Sequence, residues 1–177
     1  MTFSRRTLSV PIMAGFALWG VVAYSGMSVA CQGTQAQAAD QSILFPYNYR
    51  NWTHVKTQVW GEGHPLFEAV GGMHHIYAND KALEGYRTGV FADGSQFAFD
   101  LLDVDVTGGA TIEASRKALF VMIRDQLAFA ETGGWGYEGF AGDDRATGTV
   151  GSNAQTACHS CHLASEETSY VVSTYRD

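Results

Sequence analysis

Residues 93–106 read Asp93-Gly94-Ser95-Gln96-Phe97-Ala98-Phe99-Asp100-Leu101-Leu102-Asp103-Val104-Asp105-Val106. Asp-Gly is a turn signal, because both residues tolerate the backbone angles that tight turns demand. Residues 96–106 then carry aromatic and aliphatic side chains at short intervals and read as a strand. Upstream, Asn79 or Asp80 can cap a helix through Lys81, Ala82, Leu83 and Tyr86, with Gly89 as its stop. Before that, residues 73–78 form a short apolar run of strand length. Residues 61–65 are a loop. The β-branched and aromatic run 52–60 is another strand. Downstream, residues 118–123 are apolar and of strand length. Residues 133–140 alternate glycine with large side chains, as in a strand passing close to another backbone or a ligand. Residues 143–153 are a polar loop, and residues 166–175 suggest a short final helix. The balance is β-rich, with two or three helices.

The 177 residues suit one domain once an export segment is set aside. Arg5 and Arg6 form a positive n-region, followed by an uncharged run with its apolar heart at residues 10–30 and small-residue patterns at Ser28-Val29-Ala30 and Ala36-Gln37-Ala38. Residues 1–38 are therefore expected to be an export signal, residues 39–44 a linker and residues 45–177 the domain. The expected location is the periplasm. The apolar run is long enough to span a bilayer, so an uncleaved anchor is the second reading, and a lipid on Cys31 a third. Formal net charge is −7, and removing Arg5 and Arg6 leaves nine basic against 18 acidic residues. So acidic a surface repels phosphate backbones, which argues against nucleic acid, and it steers a cationic soluble redox partner towards itself.

Cleavage after Ala38 would leave two cysteines, in Cys158-His159-Ser160-Cys161-His162. Two intervening residues make a poor structural disulfide. The pattern is that of c-type haem attachment: the thiols add across the two haem vinyl groups, and the adjacent His162 supplies an imidazole to the iron. Zinc would need a second pair of ligands, and a thiol redox pair would need a βαβ setting; neither is present in the pattern. The motif stands late in the chain. Met73 and Met122 both precede it, unlike the later methionine of small electron-carrying cytochromes. Four long amphipathic helices, as in the helical cytochromes c-prime, cannot be drawn from this glycine-rich, β-rich chain.

The ordered set Phe45-Pro46-Tyr47-Asn48-Tyr49-Arg50-Asn51-Trp52, Tyr77, Thr88-Gly89-Val90-Phe91-Ala92-Asp93-Gly94, Gly134-Trp135 and the late haem motif resembles the cytochrome P-460 and cytochrome c-prime-beta family. The resemblance runs from about Phe45 onwards. It implies an α+β fold: a mainly antiparallel β-sheet, two or three short helices and a C-terminal haem-attachment loop. It also implies a homodimer, one covalent haem c, a five-coordinate iron and an open distal face. In the hydroxylamine-oxidising members a lysine after the Asp-Gly turn cross-links to the haem, and a distal carboxylate accepts protons. The lysine position matches Phe99 here, and the carboxylate position falls on or near Phe120. The distal-side arginine of those members aligns with His74. These departures point away from hydroxylamine oxidation and towards the branch that binds nitric oxide and carbon monoxide.

Cofactor-binding candidates are therefore Cys158, Cys161, His162, Phe99, Phe120 and His74, with His162 as the metal ligand and no catalytic residue assigned. On a strand, His74 and His75 face opposite ways. One of them can enter the distal pocket as a hydrogen-bond donor or sixth ligand; the plainer assignment is a surface or core histidine. His54 and His64 are expected to be structural or exposed, and His159 to point to solvent. Trp52, Trp60 and Trp135 are expected in the core, and Lys81, Arg87 and Arg116 on a solvated face. Three functions remain open: a protein binding a small diatomic gas, a periplasmic electron carrier, and an oxidoreductase acting on hydroxylamine, nitrogen oxides or peroxide. Coordination number separates the second from the others, and a distal acid–base group separates the third from the first.

Overall fold

The computed structural model describes residues 42–176. The expectations for the export signal, for Cys31 and for most of the 39–44 linker lie outside the described residues. Five strands, β1 (Thr53–Trp60), β2 (Gly72–Ala78), β3 (Gln96–Thr107), β4 (Ala110–Arg124) and β5 (Trp135–Ala141), form one antiparallel sheet in the order of the chain. Short helices α1 (Phe67–Val70), α2 (Asp80–Thr88) and α3 (Ser160–His162) join it, with several single helical turns. The fold is α+β, as the sequence predicts.

The local signals act where they were expected. The Asn79 side chain accepts the Ala82 N–H at 2.9 Å and so caps α2, and Gly89 ends it in the left-handed region at φ 77°. The Asp93-Gly94 turn closes through Ser95 N–H to the Ala92 carbonyl at 3.0 Å, with Gly94 at φ 84°.

Because side chains alternate along a strand, the register sorts the sheet into two faces. On one face, three cross-strand rows run side by side: Ala78, Phe97, Met122 and Tyr137; then Ile76, Phe99, Phe120 and Gly139; then His74, Leu101 and Ala118. Adjacent rows lie about 7 Å apart, two residues of strand. The first row is covered by Ala82 and Tyr86 of α2, by Phe91 and by the C-terminal segment through Tyr170 and Val171. The opposite face packs Ala98, Leu119, Val121 and Phe140 beneath Phe45 and Tyr49 of the N-terminal segment.

Asp100, fully buried on that second face, ties the segment down. It accepts hydrogen bonds from Tyr49 Oη at 2.5 Å, Arg116 Nε at 2.7 Å and Arg50 Nη2 at 3.1 Å. Arg116 thus leaves the solvated face assigned to it, because a buried carboxylate needs a cation and donors close at hand.

Three elements differ from expectation. Strand β4 begins at Ala110, well before the apolar run at 118–123, because residues 110–117 pair with β3 in an exposed ribbon where no apolar face is required. The short α1 was not foreseen in the sequence. The final helix over 166–175 is not formed. A 3-10 turn (Leu163–Thr168) ends at Ser169 and Tyr170, both with positive φ. That reversal lets the Ser169 carbonyl accept the Trp135 indole N–H at 2.8 Å and turns the Tyr170 carbonyl towards His162.

Candidate functional site

The haem motif is helical rather than a loop. A 3-10 turn (Gly151–Asn153), entered through Gly151 at φ 50°, leads into a π-helical turn (Gln155–His159) and α3, with right-handed helical angles at the Ala154, His159 and Ser160 junctions. Residues 158, 161 and 162 are three and four positions apart, so they share one side of this run. Both cysteines are free thiols, Cys158 half-buried and Cys161 exposed. Burial pushes the Cys158 thiol up to about 11.

His162 is the best-defined group of the three. Its Nδ1 lies 2.7 Å from the Tyr170 carbonyl oxygen. A carbonyl only accepts, so Nδ1 carries the proton and Nε2 keeps its lone pair, the tautomer that a metal-ligating imidazole needs. Burial holds His162 below the usual imidazole value, which keeps the ring neutral. The ring packs on Tyr137 of β5 at a centroid separation of 5.0 Å. His162 therefore stands on the sheet face whose next row is Ile76, Phe99, Phe120 and Gly139.

That row makes an apolar wall. The Phe99 and Phe120 rings are 6.0 Å apart and both half-buried. Gly139 admits the Phe120 ring: a Cβ there would stand 3.1 Å from it and 2.9 Å from Thr149 Oγ1. His74 is on the same face one row further. It is fully buried, with its ring 4.6 Å from both Trp60 and Phe99. Its Nε2 donates to the Val70 carbonyl at 2.6 Å, which leaves Nδ1 as a buried acceptor with no partner. Desolvation lowers its pKa, so this ring too is neutral.

His75 faces the other way, bonded to Thr57 Oγ1 at 2.8 Å and Glu113 Oε2 at 3.0 Å, and is removed from this face. His54 is exposed against Thr57, and His64 stacks on Trp60. His159 does not point to solvent. It is 5% exposed, set between Tyr137 and Tyr170, because its position on the helical run turns it under the sheet. Trp135 is fully buried in the core, and Trp52 and Trp60 are half-buried.

The Cytochrome P460 family model matches residues 46–173, almost the whole described domain. The chain belongs to the cytochrome P460 family. No curated protein sequence matches it significantly. Membership in the P460 family implies a haem cofactor, and the residues present suit one: two thiols and a correctly protonated imidazole on one side of a helical run, packed on the sheet row next to Phe99 and Phe120. Sequence reasoning missed Tyr170, whose backbone carbonyl sets the His162 tautomer, because a carbonyl leaves no side-chain signature. It missed Glu138 for a similar reason: its bonds go to backbone N–H groups.

Proposed function

We propose that this P460-family chain is an exported monohaem c-type cytochrome that takes a small diatomic gas, nitric oxide or carbon monoxide, at an open apolar distal site. Cys158 and Cys161 would hold the haem by thioethers and His162 Nε2 would ligate the iron. When bound, the haem supplies an empty coordination position for a neutral diatomic. The observation that carries this proposal is the Phe99–Phe120 pair. It stands on the same sheet face as Tyr137 and His162, at or near the positions that the resemblance matches to the lysine and carboxylate of hydroxylamine-oxidising members. Such a wall excludes water and neither accepts a proton nor stabilises developing charge, and neutral gases need no such help. His74, neutral and with a free Nδ1 acceptor, places a polar ring 4.6 Å from Phe99. The proposal includes a periplasmic location, a homodimer and a soluble, cationic redox partner drawn by the acidic surface.

Optical spectra of the ferric, ferrous and nitrosyl forms test it. A high-spin ferrous state that takes carbon monoxide and nitric oxide is expected. A low-spin, six-coordinate ferrous state that resists carbon monoxide would defeat gas binding and favour electron transfer.

A further inference from the structure

Glu138 lies on β5 immediately after Tyr137, the residue that packs on His162. Its side chain does not join the sheet core of either face. As β5 is an edge strand, the carboxylate wraps around it to the chain that passes alongside. There Oε1 accepts Gly139 N–H at 2.9 Å and Val150 N–H at 2.7 Å, and Oε2 accepts Gly151 N–H at 3.3 Å. Gly151 opens the helical run that ends in Cys158, Cys161 and His162. The first N–H groups of such a run have no partner within it and must find an acceptor.

The surroundings are shaped to this contact. Gly148 leaves room for the carboxylate, since a Cβ there would stand 2.6 Å from Glu138 Cδ and Oε2. The passing chain is also pinned by Thr149, whose N–H and hydroxyl both reach the Gly139 carbonyl, at 2.8 Å and 3.0 Å. Glu138 is 8% exposed, and among the described residues it has no cationic partner. Three backbone N–H donors meet the acceptor capacity that burial would otherwise leave empty.

We infer that Glu138 is a positioning residue for haem: its carboxylate clamps residues 150 and 151 to the edge of β5, fixes where the attachment segment starts, and places an unpaired negative charge beside it. The inference rests on haem being held by Cys158, Cys161 and His162. Two consequences follow. Loosening the clamp lets the two thiols drift relative to the sheet, so the second thioether forms less reliably. Removing the charge disfavours the more positive ferric state, so the midpoint potential rises.

The test compares the full chain, expressed with haem-attachment machinery, with Glu138→Gln and Gly148→Ala. Glutamine keeps the shape but turns one acceptor into a donor facing donors. Alanine at 148 pushes on an intact carboxylate. Amide hydrogen exchange at Val150 and Gly151 reads the clamp with or without haem, and at least tenfold faster exchange is expected in both variants, with the β3 and β4 amides unchanged. Mass spectrometry should show a larger singly linked fraction in both. Only Glu138→Gln should raise the potential, by about 59 mV for a tenfold shift in the one-electron equilibrium, and Glu138→Asp should restore part of it. Unchanged exchange at Val150 and Gly151 in Glu138→Gln overturns the clamp, and an unchanged potential overturns the role of the charge. A wild-type chain without covalent haem would instead overturn the haem assignment, while exchange still decides the clamp.

Discussion

Phe99 and Phe120 are direct cross-strand partners on β3 and β4, their rings 6.0 Å apart on the face that carries Tyr137 and His162. One row of the sheet thus holds both positions at which the resemblance implies a departure from the hydroxylamine-oxidising pattern. If Phe99 occupies the position of the cross-linking lysine, as the resemblance implies, no nitrogen nucleophile is available there to bond the haem. The tryptic haem peptide should therefore contain the segment with Cys158 and Cys161 and no other. A haem bonded to a second peptide, found by mass spectrometry, refutes this.

The proposed covalent attachment through both thiols is supported by their place on one side of the helical run. Haem staining after denaturing electrophoresis should fall substantially in Cys158→Ala or Cys161→Ala and vanish in the double variant. His162→Ala should leave attachment weakened and shift the spectrum, because the iron would lose the imidazole nitrogen proposed to hold it. Full staining in the double variant would sink covalent attachment.

Much of this was legible because the signals are local. The Asn79 cap, the Gly89 stop, the Asp93-Gly94 turn and the haem spacing each depend on a few adjacent residues. The strand ends were less legible, since residues 110–113 are exposed on both sides and residues 110–117 carry no run of buried apolar side chains. The C-terminal reversal at Ser169 and Tyr170 depends on partners far along the chain, Trp135 and His162, and composition alone favours a helix there. Arg116 looked like a surface charge because its partner Asp100 sits inside a strand that reads as apolar.

The Asp100 cluster should behave as a buried ion pair with one weak outer arm. Asp100→Asn removes the buried counter-charge of the Arg116 guanidinium, 12% exposed, and leaves it only the solvent-exposed Asp143 carboxylate at 3.1 Å. Breaking a buried pair in this way costs about 3–5 kcal/mol. Arg50, 53% exposed, should matter far less: Arg50→Ala is expected to cost about 1 kcal/mol or less. Chemical denaturation of the two variants measures both, and equal losses would contradict the assignment.

His74 should make the fold acid-sensitive. Its folded pKa is depressed by burial, below the 6.5 of a free imidazole. Above pH 6.5 the ring is neutral folded or unfolded, and its neutral form is fully accommodated. Below 6.5 the unfolded chain takes up a proton that the folded chain resists. Stability is then lost as pH falls towards the folded pKa, by at most about 1.4 kcal/mol per pH unit for one group. His162 has the same sign where it is not held by iron, so His74→Leu should flatten the stability profile between pH 6.5 and 5 without abolishing the slope. An identical slope in the variant would show that His74 does not titrate across that range.

Installing the missing carboxylate should recover some chemistry. Phe120→Glu places an acid–base group in the row beside Tyr137, where general base catalysis typically contributes roughly 10²–10⁴-fold. Phe99 and Ile76 would surround it, and an apolar setting raises a carboxyl pKa. At neutral pH much of the new group would therefore be protonated and unable to accept a proton. Hydroxylamine oxidation should be slow in the wild-type chain, rise at least tenfold in Phe120→Glu, and rise further with pH through the elevated pKa of the new group. Gas affinity should fall in parallel, because the carboxylate draws water onto a wall that excludes it. Steady-state oxidation across pH, with carbon monoxide titration of the ferrous protein, measures both. A variant that keeps its haem and fold but gains no pH-dependent turnover would show that position 120 does not face the reacting side of the haem.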